Sequence, residues 1–171
     1  MDTEKVIGAF SFKKFTGERL DNIEEYVKEY CSVHPNIDIL VGTDSQNRGP
    51  KTLFSTIIAM YDRGDGDGHG HGAHCVFSRW STPRYRRTQS NERLLKEVEE
   101  SIATADRLRD AGVRVKYIDL DINPEPGTNH RNLSNDVYTA AKGWVEGSGY
   151  ECRWKTLGPL VTTMADWVVK K

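Results

Sequence analysis

Ile37-Asp38-Ile39-Leu40-Val41-Gly42-Thr43-Asp44-Ser45-Gln46 decides the reading of this chain. An apolar run too short for a helix reads as a buried strand over 37–44. It stops on an aspartate followed at once by small polar residues, which places a carboxylate at the edge of the apolar layer. An aspartate there can simply form an Asx-type turn. Three more acids occupy comparable places: Glu97 on a helix, Asp121 ending another strand, and Asp166 on the last helix. Four acids drawn from separate elements are what a site for two divalent cations needs.

Working outward, residues 1–17 read as an extended lead-in, with Phe10, Phe12 and Phe15 as docking points. Thr16 is positioned to cap a helix over 18–31, in which Leu20, Ile23, Val27 and Tyr30 share one face. His34-Pro35-Asn36 breaks it. Beyond the opening strand, a turn at Asn47-Arg48-Gly49-Pro50 leads into a second strand over 52–61. A third strand follows over 74–81, so the three form an antiparallel meander. The period then lengthens. Ser90 reads as the cap of a helix over 91–110 with the stripe Leu94, Val98, Ile102, Ala105 and Leu108. A fourth strand (113–121), a helix built on Leu133, Val137, Ala141 and Trp144, a fifth strand (150–156) and a last helix opening at Gly158-Pro159 complete the chain. The order β-β-β-α-β-α-β-α, after an extra N-terminal helix, implies an α/β fold with a mixed five-stranded sheet and helices on both faces.

The length of 171 residues suits one domain spanning 1–171. A net charge of −1 gives the whole chain no attraction for nucleic acid, so any such attraction must be local. Cys31, Cys75 and Cys152 are odd in number, far apart and outside any CxxC. They suggest neither a disulfide framework nor a zinc knuckle, and Cys75 and Cys152, in strand-like runs, read as buried thiols in a reducing, cytoplasmic setting. The N-terminus lacks the layout of a signal peptide, and no run approaches the roughly 18 apolar residues of a membrane span.

Each candidate competes with a plainer explanation. Glu97 lies three residues after Leu94 and four before Ser101, on the margin of the buried stripe, whereas Glu99 and Glu100 face outward. Asp119 and Asp121 share strand parity. Asp121 is nearer the carbonyl end, where chemistry tends to sit; Asp119 is either a further ligand or the partner of a nearby base. Asp166 is otherwise an ordinary polar position on an amphipathic helix. The tract Asp65-Gly66-Asp67-Gly68-His69-Gly70-His71-Gly72-Ala73-His74 resembles a metal site, but glycine at every second position leaves no preorganised geometry and points to an exposed loop. Arg79-Trp80-Ser81-Thr82-Pro83-Arg84-Tyr85-Arg86-Arg87 is basic with interleaved aromatics. Its arginines can meet phosphates while Trp80 or Tyr85 stacks on bases, unless Trp80 belongs to the core. Lys155 can steer a phosphate or balance the acids.

This element order is that of the ribonuclease H-like fold, and the motifs resemble the small prokaryotic YkuK-like proteins, a family with that fold. The residues that carry the resemblance are Val41-Gly42-Thr43-Asp44-Ser45-Gln46, Arg93-Leu94, Glu97-Val98, Ser101-Ile102 and Asp121-Ile122-Asn123. Gly143-Trp144-Val145, Gly147, Gly149-Tyr150, Lys155 and Ala165-Asp166 complete them. The resemblance covers about residues 10–171. It implies that Asp44, Glu97, Asp121 and Asp166, with Asp119 as a further candidate, hold Mg²⁺ or Mn²⁺ as the catalytic centre of a nuclease. The nucleic-acid contacts expected from the residues are Arg79, Arg84, Tyr85, Arg86, Arg87 and Lys155. The rival expectation is a non-catalytic module of the same fold that binds nucleic acid or a protein. An ATPase is disfavoured, because no glycine-rich phosphate hairpin follows Asp44.

Overall fold

The computed structural model describes residues 11–66, 70–121 and 135–154, together with 168 and 170. Its elements are β1 (Phe12–Lys14), α1 (Ile23–Val33), β2 (Ile37–Arg48), β3 (Lys51–Asp62), β4 (Gly72–Pro83), α2 (Ser90–Asp110), β5 (Val115–Leu120), α3 (Asn135–Gly147) and β6 (Glu151–Trp154). They form one mixed sheet in the order β1-β4-β3-β2-β5-β6. β1 to β4 pair antiparallel, whereas β2–β5 and β5–β6 are parallel. The α/β class and the element order are those expected. The sheet has six strands rather than five, because part of the lead-in pairs with β4, Phe12 opposite Ser78.

The start of the first helix also differs. The Lys14 amide donates to the Glu18 carbonyl and the Leu20 amide to the Phe12 carbonyl, so residues 18–20 fold back on β1. Gly17, at φ 95°, makes the reversal possible. The helix begins at Ile23, and Asn22, not Thr16, caps it by accepting from the Glu25 amide at 3.0 Å. His34 then adopts the extended backbone that a following proline favours. Similarly, Ser90 does not cap α2 but bonds back to the Arg87 carbonyl; the turn ahead of the helix is closed by Gln89 accepting from the Arg86 amide.

The sheet separates two apolar layers. Ile39, Val41, Ile58, Met60, Val76 and Ile118 face α1, α2 and α3 through Ile23, Val27, Leu94, Val98, Ala141 and Val145. This side is called the helix face below. Alternate residues of the same strands, Leu40, Ile57 and Ala59, meet Val168 of the last helix on the far face. Helices therefore pack on both sides. Among the described residues no helix is long and apolar enough to cross a membrane.

The expected buried thiols, Cys75 and Cys152, are half-buried strand residues, and Cys31 is half-buried in α1. Burial raises Cys75 from the ordinary 9.0 to about 11 and Cys152 to about 12. The sign is set by their preference for the protonated form in the fold. That stability is fully present below the unfolded thiol pKa and is lost as pH rises through the folded values. Two outcomes are expected: sluggish alkylation of both thiols at pH 8, and a melting temperature that falls above pH 9 less steeply in Cys75→Ala. Rapid labelling of the native protein at pH 8 would contradict this.

Candidate functional site

β2 does not end at Asp44. It continues to Arg48 and stays paired with β3 through Arg48 opposite Lys51. What ends near Asp44 is its other neighbour: the parallel ladder to β5 runs only to Gly42 opposite Asp119. Asp44 thus stands two residues beyond the last parallel pair, beside the crevice that parallel strands leave at their carboxyl ends. Its carboxylate is 5% exposed.

Strand alternation assigns the neighbours. Asp44 shares the far face with Leu40 and Gln46. Opposite it on β3 is Ser55, and beyond Ser55 on β4 is Arg79. The row Asp44–Ser55–Arg79 therefore crosses three strands on one side. Asp119 is paired with Gly42 and lies on that side too; two further steps along both strands lead to Asp44 and Asp121. Asp119 is 3% exposed and meets Arg153 Nε at 3.5 Å. This ion pair is the contact with a nearby base that was one of its two expected roles. Asp121 is the first residue past β5 and is partly exposed. Two buried oxygen atoms on this face, Ser55 Oγ and Gln46 Oε1, have no hydrogen-bond partner among the described residues. Buried polar atoms are rarely left so.

Glu97 comes from the other side. It is 3% exposed, and its Oε1 accepts from the Ser45 hydroxyl at 2.5 Å. Ser45 is adjacent to Asp44 and points to the helix face. Behind this pair the Ser101 hydroxyl meets both the Glu97 carbonyl and Thr43 Oγ1 at 2.9 Å, and Thr43 Oγ1 meets Thr56 Oγ1 at 2.9 Å. Glu97 and Asp44 therefore flank one level of β2 from opposite faces. Among the described residues no three His, Cys, Asp or Glu side chains are gathered closely enough to hold a metal ion. Asp166 and Lys155 lie outside the described residues.

The basic stretch divides by strand parity. Arg79 is exposed on the far face, whereas Trp80 faces the helices and stacks on Phe54, with centroids 4.4 Å apart and planes 5° apart. Lys96 covers the Trp80 ring at 5.9 Å. Tyr85 is partly buried with its edge to Phe54, and its amide and carbonyl are bound by Thr52 and Asn47. Stacking on bases is therefore not what Trp80 does here. Arg84, Arg86 and Arg87 are exposed, and Arg84 Nη1 reaches the Gly49 carbonyl at 2.8 Å. In the histidine tract, His74 lies in β4, as the strand expected over 74–81 had it. Its Nε2 meets the Tyr26 hydroxyl at 2.7 Å, and Tyr30 stacks on its ring. Burial holds His74 below its ordinary pKa.

Sequence reasoning missed the Ser45–Glu97 bond, Ser55 and Arg153. Alternation along β3 and β6 was the available signal, but it becomes informative only once the register is known.

A family model described as Ribonuclease H-like matches residues 18–170. No curated protein matches the chain.

Proposed function

Because the chain belongs to the ribonuclease H-like family, we propose that it hydrolyses phosphodiester bonds in nucleic acid with divalent cations held at the Asp44 level of β2. Membership supports a role on nucleic acid; the chemistry rests on the site. The observation that carries it is a buried carboxylate, Asp44, opposite a Ser55 hydroxyl unpartnered among the described residues, at the point where β2 loses its parallel neighbour. Carboxylate, hydroxyl and amide oxygens form the hard donor set that Mg²⁺ and Mn²⁺ prefer.

In this reading Asp44 is the central ligand. Asp121 approaches it from β5, and Asp166 contributes from the last helix. Glu97 serves from the helix face, oriented by Ser45. Asp119 holds Arg153 beside the ligands and is the reserve fifth acid. Cations held by these acids would supply a water of lowered pKa and charge to balance the departing oxygen. Arg79, Arg84, Arg86 and Arg87 hold phosphates on either side of the scissile bond, with Lys155 as a further base.

A test is a panel of labelled DNA, RNA and hybrid substrates incubated with Mg²⁺ or Mn²⁺, with Asp44→Asn alongside. Cation-dependent cleavage that disappears in the variant supports the proposal. The second reading, a non-catalytic nucleic-acid module, is favoured by the placement of Asp44 and Glu97 on opposite faces of β2. Binding without cleavage across the whole panel would establish it instead.

The arginines give a separate prediction. Replacing Arg84, Arg86 and Arg87 by alanine is expected to flatten the salt dependence of duplex DNA binding by about 0.9 in slope for each phosphate no longer neutralised. Melting temperature should change little, since all three are exposed. An unchanged slope would move the phosphate-binding groups off this segment.

A further inference from the structure

Because Trp80 and Tyr85 are turned into the helix face, any ring that stacks on bases near Asp44 must come from elsewhere. The far face supplies one. Phe77 of β4, two residues from Arg79, packs against the far-face apolar cluster and leaves part of its ring exposed. Phe15 is 37% exposed and lies against it, with ring centroids 5.0 Å apart and planes inclined at 51°. On β1, Lys13 is paired with Phe77 and holds its ammonium 5.2 Å from the Phe77 ring. The register neighbours of Phe77 are Lys13 and Ile57, and those flanking it on the same face of β4 are Cys75 and Arg79. None of these is acidic. The patch therefore pairs two rings with two cations, in a chain whose net charge is −1. In register, Arg79 is followed across the sheet by the buried Ser55 and Asp44.

We propose that the β1–β4 edge of the far face takes a single strand of nucleic acid, with bases on Phe15 and Phe77 and phosphates on Lys13 and Arg79. The occupant is a single strand because stacking on these rings needs unpaired bases, which a duplex does not offer. The inference rests on the nucleic-acid role proposed above and adds the strandedness of the ligand and the surface that takes it.

The test uses the full chain in EDTA, so that binding is read apart from cleavage. Labelled oligo-dT and oligo-U strands and a duplex of matching length are titrated over a range of salt. The single strands are expected to bind more tightly than the duplex. Phe77→Leu should weaken strand binding about 5- to 150-fold, as for the removal of one stacked base. Lys13→Gln with Arg79→Gln should lower the salt slope by about 0.7 for each phosphate released. Arg79 is exposed, so this variant is informative even if Phe77→Leu is unstable. Trp144→Ala, an exposed ring on α3, should leave binding unchanged. Wild-type strand affinity and slope in both far-face variants would overturn this binding surface while leaving a nucleic-acid role intact. Preference for the duplex would overturn the single-strand assignment. Failure to bind any oligonucleotide would overturn the surface together with the role on which it rests.

Discussion

Asp44→Asn is expected to lower cation-dependent cleavage by more than about 100-fold, since even residues that only orient metal ligands cost 10- to 100-fold when removed. The substitution keeps the size and shape of a side chain that is 5% exposed, so the sheet should survive it. What it removes is the negative charge, which is the part of Asp44 that a cation uses. The same variant predicts a thermodynamic result. A cation at 100 times its dissociation constant stabilises the fold by about 2.7 kcal/mol. For a chain of this length that corresponds to a rise of about 5–11 °C in melting temperature. Wild type should show this rise with Mn²⁺, and Asp44→Asn should lose most of it. An equal Mn²⁺ response in both proteins would place the cation elsewhere. Cleavage by the variant at wild-type rates would remove Asp44 from the chemistry altogether.

The acid at Asp44 was readable because its strand announces itself. A short apolar run, Ile39-Leu40-Val41, closing on Gly-Thr-Asp-Ser is legible in local composition, and the sheet's centre forms around it. The six-strand count was not readable, because β1 owes its existence to a turn at Gly17 and to the exposed edge of β4, neither of which leaves a periodic pattern in three residues. The helix start failed for the same reason: Thr16 and Asn22 are both good caps, and only the back-pairing of residues 18–20 chooses between them. Strand length misled differently. Thr43, Ser45 and Asn47 are polar, so the apolar pattern stops before the strand does. They belong to it because the hydroxyls bond to one another and to α2, a compensation visible only across elements. The basic stretch shows the limit of composition most clearly. Arg79 and Trp80 are adjacent in sequence and on opposite faces of the sheet, so a motif that reads as one binding surface divides into a far-face cation and a core ring.

That division makes Phe54→Ala the most damaging single change expected outside the acids. Phe54 is 0% exposed and stacks flat on Trp80, while the edge of Tyr85 meets it at 6.0 Å. Truncating such a ring leaves a cavity between two large aromatic neighbours and costs about 3–5 kcal/mol. Melting temperature should fall by about 6–20 °C. The loss should not be merely global. Residues 84 and 85 are fixed to the β2–β3 turn by the Arg84 amide on the Pro50 carbonyl, the Tyr85 amide on Thr52 Oγ1 and the Asn47 side chain on the Tyr85 carbonyl. Tyr85 without its ring neighbour should loosen this anchorage, so amide exchange should accelerate at 84–87 more than in α3. The Trp80 Nε1 proton, buried and without a hydrogen-bond partner among the described residues, should gain access to water. Phe54→Leu keeps most of the volume and should cost less than half as much. Because Phe54 lies on the helix face and Asp44 on the far face, Mn²⁺ stabilisation measured below the variant's melting point should persist. A destabilisation under about 1 kcal/mol, well below the cost of truncating a buried ring, or exchange that quickens in α3 as much as at 84–87, would show that the Phe54–Trp80 stack does not anchor the basic segment.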